Sequence, residues 1–509
     1  MMKNVPALAV ALLLLAPSAG LARPASGAAP QASAADPFAQ PRRFESEHRG
    51  TFGGTAIRYR AIVAEHFITD PAGHRTASVF TTSYIRTDAR EGSPRPVIFA
   101  FNGGPGSSSL WLHMGFLGPR RIAFNNDVKP ETVPPFRLAD NGDSPLDVAD
   151  IVLIDPPGTG FSRILPAGKP EQFYGVDQDA RATVDVIEQW IRENGRWNSP
   201  KYLVSESYGT IRAAEVAKLL AGGPMGTGRM DGVTLNGVVL LGQSMDMSGG
   251  SGDGQYANAL PTLAATACYF GKGPAGCTAE SQAAAARTFV RDTYLTALHA
   301  GSSLSEEERN SIAGKLSTLT GLEPEFILGH DIRVDPHTFA RQLLAGRGLQ
   351  LGAYDARYTL PLSPNGGDPV ADDPAMGQYV PGFVAALNLY MRHELGVALD
   401  MPYQAIAFRS VNSKWDYGYG PGIPVGRNFG DDLGVAMRRN PQLKLMVGAG
   451  YYDLTTTLGN AEYVIAHSGI PPERTQFDYY ESGHMPYLGK EARPALARDV
   501  RAFVSSPGR

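Results

Sequence analysis

The 509-residue sequence has little cysteine, no excess of basic residues and no spacing typical of a metal site. Its formal net charge is −4, which provides no basic surface of the kind that nucleic acid requires. The ten histidines are scattered, and no HExxH, CxxC or EF-hand pattern occurs. The sequence therefore argues against nucleic-acid binding and a bound metal, and we expect no cofactor.

Long apolar runs are also scarce, and the one candidate lies near the N-terminus. Lys3 precedes an apolar stretch at 7–16, and small residues follow at the positions before Ala22. This arrangement predicts a signal peptide over residues 1–22 and a periplasmic or secreted protein. An uncleaved anchor is disfavoured, because a membrane span needs about 20 apolar residues. Residues 23–49, rich in Ala, Pro, Ser and Gln, predict a flexible leader.

The two cysteines, Cys268 and Cys277, are close in the chain. An exported chain resides in an oxidising compartment, so we predict a local disulfide between them, with two unpaired thiols as the alternative. So few cysteines also favour a bacterial protein over a disulfide-rich eukaryotic one.

Short apolar runs alternate with helical patterns through much of the chain. Two alternating runs, at 57–63 and 77–85, predict a β-hairpin. The continuous runs that predict strands buried on both faces are residues 96–101, 151–154, 201–204, 237–241 and 443–447. Helical patterns at 179–193 and 210–220 fall between them. We therefore predict an α/β fold with a doubly wound, mostly parallel central sheet.

The alternation stops after Gly242 and resumes near residue 427. The stretch between holds helical and irregular patterns without buried-strand runs. A connection of that length without structure of its own is improbable. We therefore predict a core in two parts, residues 50–245 and 427–509, with a helical cap inserted over residues 246–426.

Residues 202–209 combine a strand, a sharp turn and the start of a helix around Ser207. This is the context of a nucleophile elbow, with Ser205 in place of the usual first glycine. In open α/β sheets, ligands bind at the carboxyl ends of the strands. Ser207 is therefore the predicted nucleophile, and an ordinary helix N-cap is the alternative.

An acid and a histidine follow the two last apolar runs. Asp453 comes after the run at 443–447, and His484 comes after a further run. The chain order Ser, Asp, His is that of hydrolases with this sheet. We predict that His484 takes the proton of Ser207 and that Asp453 orients the imidazole. Asp478 is a competing acid, but it lies inside its predicted strand.

A glycine-rich segment at 102–110 follows the first buried strand. Glycines let backbone N–H groups approach a developing oxyanion. A phosphate-binding loop is disfavoured, because no Gly-Lys-Ser/Thr follows.

Four motifs stand in a fixed order along the chain. They are NGGPGSSSL at 102–110 with GP at 118–119, DPPGTGFS at 155–162, ESY at 206–208 and GHM at 483–485. Together they resemble the signatures of the serine carboxypeptidase family, of the carboxypeptidase C and cathepsin A type. The resemblance implies an α/β-hydrolase fold and a bacterial-type member, and the predicted cap matches nothing in it.

The resemblance also implies roles for single residues. Ser207, Asp453 and His484 become the catalytic triad. The backbone N–H groups of Gly104 and Tyr208 become the oxyanion hole.

A further implied role is the binding of the substrate's terminal carboxylate by Asn102 and Glu206. The family's second glutamate is Phe116 in this chain. Two carboxyl groups near a carboxylate must hold protons to bind it, which favours acidic pH. With one of them lost, we predict a milder pH optimum and a weaker preference for a free C-terminus. Ser107 replaces the motif cysteine, so no disulfide is expected there.

The predicted function is a serine-type carboxypeptidase that acts through an acyl-enzyme. An esterase or acyltransferase on the same scaffold is the alternative, favoured by Phe116 and the unmatched cap. A catalytically inactive binding protein is a third possibility, and the intact Ser, Asp and His argue against it. The expected partner is a peptide or small acyl substrate, with no nucleic acid and no membrane span after signal cleavage.

Overall fold

The computed structural model describes residues 40–89, 94–126, 128–229, 232–248, 252–364 and 367–506, and within these ranges a ten-stranded sheet forms the centre of the fold. Two small two-stranded sheets accompany it. The strands are β1 (Arg43–Phe52), β2 (Thr55–Thr69), β3 (Arg75–Arg86), β4 (Val97–Phe101), β5 (Arg120–Ala123), β6 (Arg137–Asp140), β7 (Asp150–Asp155), β8 (Arg163–Ile164), β9 (Lys201–Glu206), β10 (Gly237–Leu241), β11 (Leu349–Leu351), β12 (Thr359–Pro361), β13 (Lys444–Gly450) and β14 (Thr475–Tyr480).

The order of the central sheet is β1-β2-β3-β7-β4-β9-β10-β13-β14, with β8 beside β3. The six strands from β7 to β14 run parallel, and β1, β2 and β3 form an antiparallel extension. The predicted hairpin is the pair β2–β3. The predicted α/β fold with a doubly wound, mostly parallel sheet is therefore confirmed.

Helices lie on both faces of this sheet, and further helices lie in the chain between β10 and β13. They are α1 (Leu110–Leu112), α2 (Val176–Glu193), α3 (Gly209–Leu220), α4 (Gly254–Tyr269), α5 (Ala279–Phe289), α6 (Leu295–Ala300), α7 (Glu306–Thr320), α8 (Pro324–Gly329), α9 (Pro336–Gln342), α10 (Met376–Leu389), α11 (Gly430–Arg439), α12 (Leu458–His467) and α13 (Ala492–Ser505). Among the described residues, no helix combines the length and apolar character that a bilayer span needs.

The continuous apolar runs arise because the central strands are buried on both faces. In β4, Val97, Phe99 and Phe101 pack into a core formed with α2, α3 and α11. Ile98 and Ala100 point to the opposite core, which includes α10 and α13. Successive side chains of a strand face opposite sides, so both alternating positions must be apolar here.

The boundary predicted for the leader is wrong at its C-terminal end. The predicted signal peptide and the predicted leader up to residue 39 lie outside the described residues, but β1 begins at Arg43 and pairs along its whole length with β2. This strand lies at the sheet edge, where its side chains alternate between exposed and half-buried. An edge strand of this kind lacks the apolar run that identifies the central strands.

The chain between β10 and β13 is mostly helical, with α4 to α11 and the short pair β11–β12. Its first helices pack around a third hydrophobic core that also includes Tyr451 and Leu458. Residues Pro41–Arg509 form one compact unit. We refer to residues 246–426 as the insertion, and its status as a separate cap stays a prediction. Within it, a disulfide joins Cys268 and Cys277, whose Cα atoms are 6.0 Å apart.

Candidate active site

Ser207 lies in a tight turn between β9, which ends at Glu206, and α3, which begins at Gly209. Its φ is 59°, a left-handed conformation that is unusual for a residue with a side chain. The turn is held by the Ser207 N–H, which donates to the Leu241 carbonyl at 3.0 Å, and by the Thr210 N–H, which donates to the Ser207 carbonyl at 2.8 Å. This is the geometry of a nucleophile elbow at the carboxyl end of the sheet.

The glycine-rich segment packs directly against this elbow. A Cβ atom on Gly103 would lie 2.5 Å from the Tyr208 nitrogen and 2.6 Å from the Gly209 nitrogen, so this contact requires glycine. In the described part of the chain, the N–H groups of Gly104 and Tyr208 donate to no other residue. Two adjacent and unused backbone donors beside a serine have the form of an oxyanion hole.

His484 and Asp453 form a buried pair in the loops after β14 and β13. The distance from His484 Nδ1 to Asp453 Oδ2 is 2.8 Å, and the side chains are 2% and 1% exposed. The other oxygen, Asp453 Oδ1, accepts hydrogen bonds from the N–H groups of Thr455 and Thr456 at 2.8 and 2.9 Å. The carboxylate is therefore fixed by the backbone while it holds the imidazole.

The charge of Asp453 determines the basicity of His484. Burial by itself would lower the pKa of His484, but the Asp453 carboxylate and its hydrogen bond, aided by Glu206, raise this pKa above the usual value. A histidine in this setting is a competent proton acceptor near neutral pH.

Ser207 and His484 line the same cavity, of about 40 Å³, at the carboxyl edge of the sheet. His484 Nε2 is buried and makes no hydrogen bond with any described residue, so the serine hydroxyl is not yet bonded to the imidazole. Bonds between nucleophile and base are often long before substrate binds. The arrangement thus brings together all three predicted triad residues, with the acid–base bond formed and the base–nucleophile bond open.

Asn102 and Glu206 are in direct contact beside Ser207. Asn102 Nδ2 donates to Glu206 Oε1 at 3.0 Å, and Asn102 Oδ1 accepts from the Leu112 N–H at 3.0 Å. Burial raises the pKa of Glu206 to about 7, although the charge of His484 and the Asn102 bond oppose the rise. Glu206 Oε2 is buried and lacks a hydrogen bond to the described residues. A protonated carboxyl with a free oxygen is suited to binding another carboxylate.

Phe116 stacks on Tyr487, a neighbour of Glu206. The rings of Phe116 and Tyr487 are stacked, with centroids 6.1 Å apart and an interplanar angle of 7°. The Tyr487 hydroxyl lies close to Glu206 without meeting hydrogen-bond geometry. An aromatic stack therefore occupies the place for which the resemblance implied a second glutamate.

The competing acid, Asp478, is bonded elsewhere. It is half-buried on β14, where its Oδ2 accepts from Gln476 Nε2 at 2.8 Å. Within the described ranges, no group of three or more His, Cys, Asp or Glu side chains is placed to hold a metal ion.

Two residues of the site were missed in the sequence. Thr456 Oγ1 donates to Asp453 Oδ2 and lies 3.2 Å from His484 Nδ1. Its position three residues after the acid is a known pattern for side-chain capping of the following backbone and could have been noticed. The Tyr354 carbonyl accepts the His484 N–H at 2.6 Å. Tyr354 belongs to the insertion, and its sequence surroundings carry no signal for this contact.

This chain is similar to several solved structures. A prohormone-processing carboxypeptidase from Saccharomyces cerevisiae is 15% identical, with a TM-score of 0.54 and coverage of 87% of this chain and 90% of that chain. A thermophilic esterase from Thermogutta terrifontis is 13% identical, with a TM-score of 0.34 and coverage of 87% and 99%. A proline iminopeptidase from Mycobacterium smegmatis is 12% identical, with a TM-score of 0.36 and coverage of 86% and 98%.

No curated protein matches the sequence. The family model described as serine carboxypeptidase matches residues 75–245, a range that holds the glycine-rich segment and Ser207. This match supports serine carboxypeptidase activity and leaves the roles of single side chains open. Over residues 75–245, the chain is therefore similar to the serine carboxypeptidase family.

Proposed function

We propose that Ser207 attacks the C-terminal peptide bond of a substrate to form an acyl-enzyme, with His484 as general base and then general acid. The 2.8 Å bond from His484 Nδ1 to Asp453, beside the cavity shared with Ser207, carries this proposal. With Nδ1 bonded to the carboxylate, Nε2 is the nitrogen that takes the serine proton and returns it to the leaving amine. Water then hydrolyses the acyl-enzyme by the same route in reverse.

The oxyanion of the tetrahedral intermediate is assigned to the N–H groups of Gly104 and Tyr208. Both donors are free of other bonds within the described residues, and each is fixed in a segment that glycine packing holds in place. Donors fixed in advance at the point where charge develops contribute more to rate than donors that must reorganise.

The terminal carboxylate of the substrate is assigned to Asn102 and Glu206. A protonated Glu206 can donate one hydrogen bond to this carboxylate, and Asn102 holds the glutamate in place through the 3.0 Å bond. This assignment requires Glu206 to be neutral while His484 is also neutral.

Peptidase activity is therefore expected to fall on both sides of neutral pH. As pH falls, His484, whose pKa is raised, gains a proton and can no longer accept that of Ser207. As pH rises above about 7, Glu206 ionises and repels the substrate carboxylate. The KM of an N-blocked dipeptide should then rise about tenfold per pH unit, because the loss of one proton from Glu206 removes the form that binds substrate. Steady-state kinetics from pH 4 to 9 measure both limbs.

The amide of the same dipeptide is the control substrate, because it carries no carboxylate and should lose the alkaline rise in KM. Glu206→Gln should lose this rise too, whereas Glu481→Gln, an exposed glutamate that accepts from the Tyr452 hydroxyl at 2.6 Å, should keep it. An optimum as acidic as that of enzymes with two glutamates, or an alkaline limb shared by acid and amide, would contradict the assignment.

The remaining walls of the cavity favour an apolar substrate side chain. They include Trp111 and Met485 of the core and Met376, Ile406 and Phe408 of the insertion. Among the described lining residues, Glu206 is the one acidic side chain, and it is already assigned. A substrate lysine would enter without a partner for its charge, at a cost that apolar side chains avoid.

Peptides ending in Leu or Phe are expected to have kcat/KM values at least about tenfold above those ending in Lys. Competition between such peptides, followed by mass spectrometry, gives the ratio directly. Phe408→Ala removes the ring beside Gly104 and enlarges the cavity. It should change the ranking among apolar C-terminal residues of the substrate and leave Lys disfavoured. Equal release of Lys and Leu would refute the proposed apolar subsite.

An esterase or acyltransferase is the second candidate function. The observation that favours it is the Phe116–Tyr487 stack, which leaves a single carboxyl group at the carboxylate site. A free peptide, its amide and a p-nitrophenyl ester separate the two functions. Stepwise loss of residues from the C-terminus of the free peptide supports the peptidase, and turnover of the ester alone supports the alternative.

Export to the periplasm or the medium is also part of the proposal. It is based on the signal-like residues 1–22, and the N-terminal sequence of the mature protein tests it.

A further inference from the structure

A buried ion pair lies beneath the two segments that carry the assigned oxyanion donors. Arg212 of α3 donates from Nε to Asp179 Oδ2 of α2 at 2.6 Å, and both side chains are 1% exposed. Taking two charges out of water costs about as much as their attraction returns, so such a pair is weak evidence for stability. Its place in the fold is therefore the informative feature.

The guanidinium of Arg212 contacts both oxyanion segments. Its Nη1 donates at 2.6 Å to the carbonyl of Asn102, two residues before Gly104. It also lies over the rings of Phe101 and Tyr208, at 5.2 and 5.3 Å from their centroids. Because a peptide group is planar, the bond to this carbonyl fixes the direction in which the chain enters the glycine-rich segment.

Asp179 contacts both Arg212 and Tyr208. Its Oδ2 accepts from the Tyr208 hydroxyl at 3.4 Å as well as from Arg212, and its Oδ1 is buried and has no partner among the described residues. Burial raises the pKa of Asp179, and the Arg212 charge opposes this rise. The carboxylate thus orients both the guanidinium and the phenol that precedes α3.

We propose that Arg212 and Asp179 are positioning residues for the oxyanion hole. They hold the N–H groups of Gly104 and Tyr208 at the separation that the tetrahedral intermediate requires. Neither side chain lines the cavity at Ser207, so they act through the backbone and not on the substrate. The inference rests on the proposed function, because it gives these N–H groups the role of oxyanion donors.

Arg212→Met is expected to lower kcat about 10- to 100-fold while KM stays within about twofold, because misplaced donors weaken binding of the transition state and not of the substrate. Phosphonylation of Ser207 by a fluorophosphonate should slow by a similar factor, because negative charge also develops on the phosphoryl oxygen of the reagent. Arg212→Lys keeps the charge but not the forked geometry and should recover part of the loss. The acid limb of the pH profile should not move, because His484 and Asp453 are untouched.

Arg196 provides the matched control. It donates to Asp150 Oδ2 at 2.6 Å and to the Arg95 carbonyl at 2.6 Å, so it makes the same kinds of bond. It precedes β9, at the amino end of the sheet, opposite Ser207. Arg196→Met should keep the wild-type kcat.

Every rate is expressed per active site, titrated with the fluorophosphonate, so that partial unfolding does not count as slower catalysis. Should Arg212→Met not fold, the same measurements of kcat and of labelling are made on Arg212→Lys and Asp179→Asn. Wild-type kcat and wild-type labelling in the Arg212 and Asp179 variants that fold would overturn the inference, as would an equal loss in Arg196→Met. Absence of labelling in the wild-type protein, by contrast, would overturn the proposed function itself.

Discussion

Ser207→Ala is expected to lower kcat by about 10⁴- to 10⁶-fold, to the level that the remaining oxyanion donors and binding groups support. Without the hydroxyl, no acyl-enzyme forms, and His484 has no proton to accept. Substrate affinity should change little, because the assigned carboxylate site stays intact. Turnover of an N-blocked dipeptide, together with loss of fluorophosphonate labelling, measures the effect.

Ser205→Ala is the control for this substitution. Ser205 lies two residues earlier, in β9, where it is fully buried and donates weakly to the Val239 carbonyl at 3.3 Å. Its removal should leave kcat within about threefold of wild type, a small effect typical of a site away from the chemistry. If Ser205→Ala abolished labelling and Ser207→Ala did not, the nucleophile would be misassigned.

Asp453→Asn is expected to lower kcat by about 10⁴-fold with little change in KM. The Asp453 Oδ1 atom accepts from two backbone N–H groups, so an asparagine at this position would place its oxygen there and its amide NH₂ toward His484. The imidazole would then carry its proton on Nε2, the nitrogen that must accept the Ser207 proton. The fold should be retained, and thermal unfolding verifies this.

Asp478→Asn tests whether the identity of the acid matters. Asp478 lies in β14, six residues before His484. Its carboxylate accepts a hydrogen bond from Gln476. Its substitution should leave kcat nearly unchanged. A loss in Asp478→Asn comparable to that in Asp453→Asn would mean that the imidazole changes its acid partner during turnover.

The central strands could be predicted because both of their faces are buried. The five continuous apolar runs all became central parallel strands, and the hairpin formed β2 and β3. The edge strand β1 was not predicted because its half-buried positions include Ser46, His48 and Gly50 in place of apolar side chains. Backbone pairing with β2 holds it in the sheet, and this pairing leaves no pattern in the sequence.

The candidate site was predictable where a residue type used in catalysis directly follows a predicted strand. Ser207, Asp453 and His484 each follow a strand of the parallel sheet, and such loops meet at one edge. Arg212 was not predictable, because an arginine within a helix is usually a surface residue. Its burial depends on Asp179, which is distant in the sequence, and on rings from two further segments.

The bond between the Tyr354 carbonyl and the His484 N–H has a consequence for how this enzyme can diversify. The insertion, which forms part of the wall of the cavity at Ser207, also anchors the backbone of His484, the proposed general base. Exchange of the insertion for that of a relative would therefore alter turnover together with selectivity, unless the short stretch around Tyr354 were kept.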